Sequence, residues 1–404
     1  MRILFISQYF YPENFRGNDI VFEFAKRHDV TVLTAIPNYP IGKFYNGYGL
    51  FSKRHETING VNVYRVPVFP RRHGSISLSL NYISFLIFSV LYVLVFYIKR
   101  RYDLVFVQQL SPVTMSFCGV LYKKLVKVPL IVWVLDLWPE SLIAAAGVNN
   151  KYVLNFFRYF ALLQYKYADK IMISSKEFQS SIESLGNFHD KIMYLPQWAE
   201  DVFTGNNERN LETPTLHNGF RIGFAGSIGE AQGFEFLIKA IDLVPENFQV
   251  KWVIIGAGRK FLWLSNLVKD YNLEYKVQLL GHYPVSFMPF FFEKMNLLFV
   301  SLTDDLLFNI TAPAKIQAYM ASGKPILAMI NGEGARLITD ADCGWVVNAG
   351  DYTALAETVV MITKLPKEIL DQKGLNGRRY YDKFFTKASG FAAIDKVIEL
   401  LTKK

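Results

Sequence analysis

Short apolar runs bounded by turn formers alternate with longer stretches of helical periodicity along the whole chain. Runs rich in Val, Ile, Leu and Phe predict strands at Arg2–Ser7, Val30–Thr34, Val63–Pro67, Leu104–Gln108, Leu130–Leu135, Lys170–Ile173 and Ile192–Leu195. A second series follows at Arg221–Phe224, Gln249–Ile255, Lys276–Leu280, Leu297–Val300, Pro325–Met329 and Gly344–Val347. Helical spacing fills the gaps, notably about Asn18–Arg27, Val113–Val126 and Tyr152–Tyr167. Continuous apolar strands separated by helices make parallel sheets covered on both faces, so the fold class is α/β. The run Thr204–Asn218 has almost no apolar residues and reads as a linker between two doubly wound domains, 1–203 and 204–379.

One segment breaks the rhythm. Ile76–Ile98 is a 23-residue uncharged run between Arg71-Arg72-His73 and Lys99-Arg100-Arg101. Its length would span a bilayer, but Ser77, Ser79, Asn81, Ser84 and Ser89 interrupt it, and a strand begins at Leu104. The pattern fits a helix packed on the sheet whose aromatic face, with Phe85, Phe88 and Tyr92, dips into a membrane; a plain core helix is the alternative. Arg71, Arg72 and Arg100 would then sit on anionic headgroups.

Composition narrows this further. A chain of 404 residues, 51% hydrophobic and 16% aromatic, is long enough for two cores. Its two cysteines, Cys118 and Cys343, lie far apart in apolar segments, which argues against a disulfide or metal framework and for a reducing cytoplasm. The formal net charge of +9 is unevenly placed: residues 1–200 carry 22 Lys and Arg against 13 Asp and Glu, and residues 201–404 carry 22 of each. An anionic partner for the first half is implied. Nucleic acid fits poorly, because the basic residues flank an aliphatic helix and not stacking platforms.

Candidate chemistry collects after strands. TAPAKIQAYMASGKP, Thr311–Pro325, places Lys315 one turn inside a helix that starts near Pro313, where free N–H groups suit a diphosphate. QYFYPENFRGND, Gln8–Asp19, follows the first strand, with Gly17 allowing close backbone approach and Asn18 able to cap a helix. Tyr39, in the loop IPNYPIGKFYNGYG, suits sugar stacking. WVLDLWPES, Trp133–Ser141, puts Asp136 and Glu140 around Trp138 at a strand end, where either carboxylate could orient or deprotonate a hydroxyl. Trp198 could line the site or pack a hinge.

The string PAKIQAYMASGKP resembles the "PSKxxEYMAxGKP" segment of family-4 glycosyltransferases, nucleotide-sugar enzymes with the GT-B fold. FAGSIGEAQGFEFLIKA, Phe224–Ala240, is similar to that family's "GRLxxxKGxxxLIxA", and YPENF, WPES and LPQWAEDVF resemble its bacterial O-antigen and capsule N-acetylfucosamine-transferase subgroup. The resemblance implies two Rossmann-like domains facing across a cleft, with a helix at about 380–404 packing back on the first. It implies a retaining, metal-independent hexosyltransferase with no cofactor, moving an N-acetylated hexosamine or deoxyhexosamine. The donor would be a UDP-sugar and the acceptor a polyprenyl-diphosphate-linked saccharide at the inner face of the cell membrane. The resemblance places donor contacts at Gly17, Asn18, Gly226, Ser227, Gln232, Gly256, His282, Thr311 and Lys315, with Asp304, Asp305, Asn309 and Glu333 as candidates for contacts the family makes through two glutamates absent here. Asp136 stands in a loop where many family members carry a histidine, so its role, like those of Tyr39, Glu140, Trp138 and Trp198 as acceptor or catalytic contacts, is read from the residues and not carried over. The chain departs from the family where an arginine and a lysine are replaced by Ser227 and Gln232, and where two glutamates are replaced by Ile310 and Ala318. A GT-B sugar-nucleotide epimerase, or an inactive paralogue serving as a binding module, is the alternative function.

Overall fold

The computed structural model describes every residue except 41, 73, 206–213 and 404, and describes no side chain at 75 or 144–146. Most of the expected linker therefore lies outside the described residues. The chain forms two compact units, Met1–Pro196 with Phe391–Lys404, and Gln197–Gly390.

The first unit holds eight strands: β1 (Arg2–Ile6), β2 (Asp29–Ala35), β3 (His55–Ile58), β4 (Val61–Val66), β5 (Leu104–Gln109), β6 (Leu130–Val134), β7 (Lys170–Ile173) and β8 (Ile192–Tyr194). Their order is β3-β4-β2-β1-β5-β6-β7-β8, parallel throughout except for the β3–β4 hairpin. Strands β5 and β6 are buried along their whole length, as a sheet covered on both faces requires. Strand β3 is an addition to the sequence reading. Its residues HETI alternate between exposed and half-buried, so no apolar run marks it. Asn59 and Gly60, both at positive φ, close its turn.

Five helices matter here: α1 (Arg16–Ala25), α2 (Ser75–Lys99), α3 (Phe117–Val126), α4 (Glu140–Ala146) and α5 (Lys151–Tyr167). Helix α2 is long and apolar enough to cross a membrane. Its orientation corrects the sequence expectation. The aromatic face turns inward: Phe85 is fully buried, Phe96 meets the Tyr64 ring edge-on at 5.1 Å, and the Tyr92 hydroxyl accepts a hydrogen bond from Arg54 Nη2 at 3.0 Å. Phe88 is only partly exposed. Spacing explains this, because residues 85, 88, 92 and 96 share one helical face and offer more area to bury than aliphatic residues would. Three of the interrupting polar residues, Asn81, Ser84 and Ser89, also face in: Asn81 Oδ1 accepts from Gln8 Nε2 at 2.7 Å and Ser84 Oγ from the Phe69 N–H at 3.1 Å, whereas Ser79 is exposed. What remains outside is an aliphatic stripe of Ile76, Leu80, Ile83, Ile87, Leu91, Leu94 and Ile98. Arg100, expected on headgroups, lies over the Tyr64 ring at 5.8 Å instead. On α5, Tyr152, Phe156 and Tyr159 form a second exposed apolar face.

The second unit is a six-stranded parallel sheet of β9 (Phe220–Ala225), β10 (Val250–Ile255), β11 (Val277–Gly281), β12 (Leu297–Ser301), β13 (Ile326–Met329) and β14 (Gly344–Val347), in the order β11-β10-β9-β12-β13-β14. Its core gathers Ile222, Phe224, Ile238, Trp252, Phe299 and Leu327. Residues 197–203 pack here, not with the first unit: Phe203 stacks on Phe292 at 5.4 Å, and Trp198 is 1% exposed. Trp198 is thus a buried residue of the second unit. The C-terminal stretch is two helices, Lys367–Phe384 and Lys387–Thr402, of which the part from Phe391 belongs to the first unit. There Asp395 pairs with Arg27 of the turn after α1 at 2.9 Å.

Candidate active site

In the second unit, the loops after β9 and β10 run backbone against backbone. A Cβ on Gly256 would sit 1.8 Å from the Gly226 carbonyl oxygen, so only glycine permits this approach. Against them packs the helix Ala314–Ala321, whose Tyr319 hydroxyl accepts the Ala225 N–H at 3.1 Å. This registers the helix so that Lys315 Nζ lies 4.0 Å over the Phe224 ring and beside Gly226. Among the described residues no carboxylate pairs with Lys315. Burial alone pushes its pKa down to about 7.

The neighbouring expected donor contacts divide into two groups. Ser227 is exposed and His282 follows the edge strand β11, also exposed. Others are engaged internally. Gln232 Oε1 accepts the Gly229 N–H at 2.9 Å and braces the loop. The Thr311 hydroxyl donates to the Leu307 carbonyl at 2.7 Å. Glu333, expected as a substitute carboxylate, has a fully buried side chain held by Arg336 through Oε2 at 2.9 Å and Oε1 at 2.7 Å. Asn309 Nδ2 donates to Asp304 Oδ1 at 2.9 Å, and Asn331 Nδ2 does so at 3.0 Å. These two bonds hold the exposed Asp304 carboxylate below its ordinary pKa. Asp304 is an acid that these strand-end loops present to solvent, whereas Ile310 and Ala318 offer none.

In the first unit, the strand-end loops converge on a second polar cluster. Gly17 packs so closely on β5 that a Cβ would meet Gln108 Oε1 at 2.0 Å. Asn18 closes the first loop: its amide donates to the Glu13 carbonyl at 2.7 Å and accepts the Tyr11 N–H at 3.1 Å, so it faces its own turn. Glu13 Oε1 in turn accepts the N–H groups of Asn38 and Tyr39, at 2.7 and 2.6 Å. Burial pushes this carboxyl up to about 7, against those hydrogen bonds.

Asp136 follows β6, and its Oδ2 accepts the Ser111 hydroxyl at 2.7 Å, while Trp138 Nε1 donates to the same Ser111 oxygen at 3.1 Å. Burial raises the Asp136 pKa, with Ser111 and Arg71 opposing. Glu140 faces elsewhere. Its pKa is also raised by burial, but the charge acting on it is Arg158 of α5. The two candidate carboxylates thus have separate neighbours. Arg71, expected on a membrane surface, bends back into this cluster: its Nη1 donates to the Tyr9 hydroxyl at 3.1 Å, and its guanidinium lies 5.3 Å from the Tyr39 ring. Arg72 remains exposed. Sequence reasoning missed Tyr9, Glu13, Tyr82 and Ser111. Tyr9 and Ser111 each follow a strand that had been located, which is the one signal that could have found them.

Comparisons with known proteins agree with this architecture. Residues 18–198 match the glycosyl transferase 4-like domain, and residues 219–364 match the glycosyl transferases group 1. The probable glycosyltransferase WbjE of Pseudomonas aeruginosa is 27% identical over 266 residues, 59% of this chain and 64% of that protein, so the likeness spans less than two thirds of its length. Anabaena Alr3699/HepE, solved in complex with UDP, superposes at a TM-score of 0.71 and 15% identity, covering 99% of this chain and all of that one. WaaG, a glycosyltransferase involved in lipopolysaccharide biosynthesis, does so at 0.65 and 14%, with 100% of each chain covered. At these identities the structures establish a shared fold.

Proposed function

Because the chain belongs, through both of its halves, to the glycosyltransferases of the GT-B fold, we propose that it transfers a sugar from a UDP-sugar to a saccharide carried on a polyprenyl diphosphate. The transfer retains anomeric configuration, needs no metal and contributes to surface-polysaccharide assembly at the inner face of the membrane. In the reaction, the bond from the anomeric carbon to the diphosphate oxygen breaks and one to the acceptor oxygen forms on the same face. UDP leaves with the electron pair, and Asp136 receives the acceptor proton.

One observation carries the donor assignment. Lys315 is a partly buried cation with no acid paired to it among the described residues, set against a glycine loop at a helix start. A buried charge kept without a partner costs stability, and a diphosphate there would supply the missing counter-charge. The HepE complex with UDP supports the choice of nucleotide. Asp304 stands in for the two family glutamates, since two amides keep it ionised and solvent-facing. The aliphatic stripe of α2 and the exposed aromatics of α5 support the membrane location.

The test is calorimetric titration with a panel of UDP-, GDP- and TDP-sugars, followed by product analysis with a prenyl-diphosphate saccharide. UDP-sugar binding strongly weakened by Lys315→Ala, by about 1.5–3 kcal/mol, is the expected result; undiminished binding in that variant refutes the donor site. Asp136→Asn should lower turnover by about 10²–10⁴-fold while leaving donor affinity intact. Free sugar or an epimerised donor as the only product would favour the epimerase.

A further inference from the structure

The first unit contains a guanidinium that, among the described residues, no carboxylate pairs with. Arg65, the buried arginine of β4, has its acid: Glu56 Oε1 lies 2.8 Å from Nη2. Arg71, partly buried at the same end of the sheet, has none among the described residues. Its Nη1 donates to the Tyr9 hydroxyl at 3.1 Å, and its guanidinium lies 5.3 Å from the Tyr39 ring and 5.9 Å from the Tyr82 ring. Asp136 is the carboxylate close enough to sense it, but Asp136 is hydrogen-bonded to Ser111 instead. The backbone is held in place as well. The Arg71 N–H donates to Asn38 Oδ1 at 2.8 Å, and Gly42 crosses so close that a Cβ there would meet the Arg71 carbonyl at 2.6 Å.

A guanidinium fixed by three tyrosines keeps donors in hand, because rings and hydroxyls leave most of its five N–H groups unused. Planar, bidentate N–H pairs match phosphate oxygens, and charge-assisted bonds of this kind are about twice as strong as neutral ones. The chain then runs from Arg71 to Ile76, the first residue of the exposed α2 stripe, in five steps, a reach of at most about 18 Å. A phosphate at Arg71 would therefore lie at the head of an apolar track.

From this juxtaposition we infer that Arg71, with Tyr9, Tyr39 and Tyr82, binds the diphosphate of a prenyl-linked acceptor, whose hydrocarbon follows the stripe of α2. The inference rests on the acceptor class proposed above and adds the group that recognises it. Arg71 positions the acceptor through its phosphate, and Asp136 receives the proton from its sugar hydroxyl.

The test uses geranyl diphosphate as the probe, titrated calorimetrically into the full chain, with geraniol, inorganic pyrophosphate and UDP as separate titrants. Arg71→Ala and Arg71→Gln should each weaken geranyl diphosphate by about tenfold or more, with UDP affinity unchanged. The glutamine variant keeps a hydrogen bond to Tyr9 within reach, so a folding failure of the alanine variant does not end the experiment. Equal affinity of wild type and both variants for geranyl diphosphate overturns the inference. So does geraniol binding as tightly as the diphosphate, or pyrophosphate alone binding as tightly, which would mark a site for free phosphate. A loss seen only in sedimentation with phosphatidylglycerol–phosphatidylethanolamine vesicles would make Arg71 a headgroup contact and likewise overturn it. Failure of UDP to bind the wild type would sink the donor assignment separately, without touching the geranyl diphosphate result.

Discussion

Glu13 Oε1 accepts the backbone N–H of Tyr39 at 2.6 Å, tying the first strand-end loop to the second from beneath. The carboxyl that makes this bond is 2% exposed and titrates near 7 because it is buried. In the folded chain it therefore holds a proton that the unfolded chain, at an ordinary glutamate value, has already released. The stabilising contribution is complete below about pH 4.5 and is lost as pH rises through about 7. Wild-type stability should fall by up to about 3 kcal/mol across that window from this group alone. Denaturant melts at pH 5 and pH 8 should show a smaller fall for Glu13→Gln; an identical fall would refute the assignment.

Lys315 gives the opposite kind of signal. With its ammonium destabilised to about 7, much of the site is neutral at pH 8, and a diphosphate arriving there draws a proton in. Affinity for a UDP-sugar, whose diphosphate does not titrate near neutrality, should weaken as pH rises from 7 to 9. Calorimetry in buffers of different ionisation enthalpy should show net proton uptake. Lys315→Ala should remove both effects along with most of the affinity.

The glycine loops allow a paired comparison. Gly256→Ala drives a Cβ into the Gly226 carbonyl, and relief requires moving one strand-end loop off the other, at a cost of more than about 3 kcal/mol. Gly281 also has positive φ, but an added Cβ meets nothing within 4 Å. Gly281→Ala should cost only about 1 kcal/mol. Equal destabilisation by the two, measured by urea unfolding, would contradict the packing described.

Helix α2 separates surface from core within one element. Replacing Ile83, Ile87 and Leu91 with serine should leave the melting temperature nearly unchanged, since all three are about half exposed, and should release the protein from anionic vesicles. Phe85→Ala should do the reverse, lowering stability by about 3–5 kcal/mol as a core cavity opens. Vesicle sedimentation alongside thermal melts reads both arms.

The strands were legible because nearly every one is a continuous apolar run between helices, a pattern that parallel sheets enforce. β3 was not, since an edge hairpin of HETI buries only part of each residue and leaves no run to see. At the sites, the position of Lys315 followed from its helix start. The roles of Asn18, Gln232, Thr311 and Glu333 did not, because a polar residue in a loop reads the same whether it meets a ligand or its own backbone. Hydrogen bonds to partners three to seven residues away decided each of them, and the sequence does not show which way such a side chain turns. The face of α2 failed for a related reason: aromatic and aliphatic stripes are equally apolar in the sequence, and which one wins the sheet is settled by shape.

Arg27 and Asp395 meet across an interval that contains the entire second unit. A ribosome making this chain thus releases all eight strands of the first sheet long before the C-terminal helix that pairs with the turn after α1 exists. The nascent sheet must wait, with part of its apolar surface uncovered, while another complete sheet is synthesised and folds. A fragment ending at Pro196 would carry that waiting state permanently, so an isolated first domain should be made with Phe391–Lys404 joined back to it.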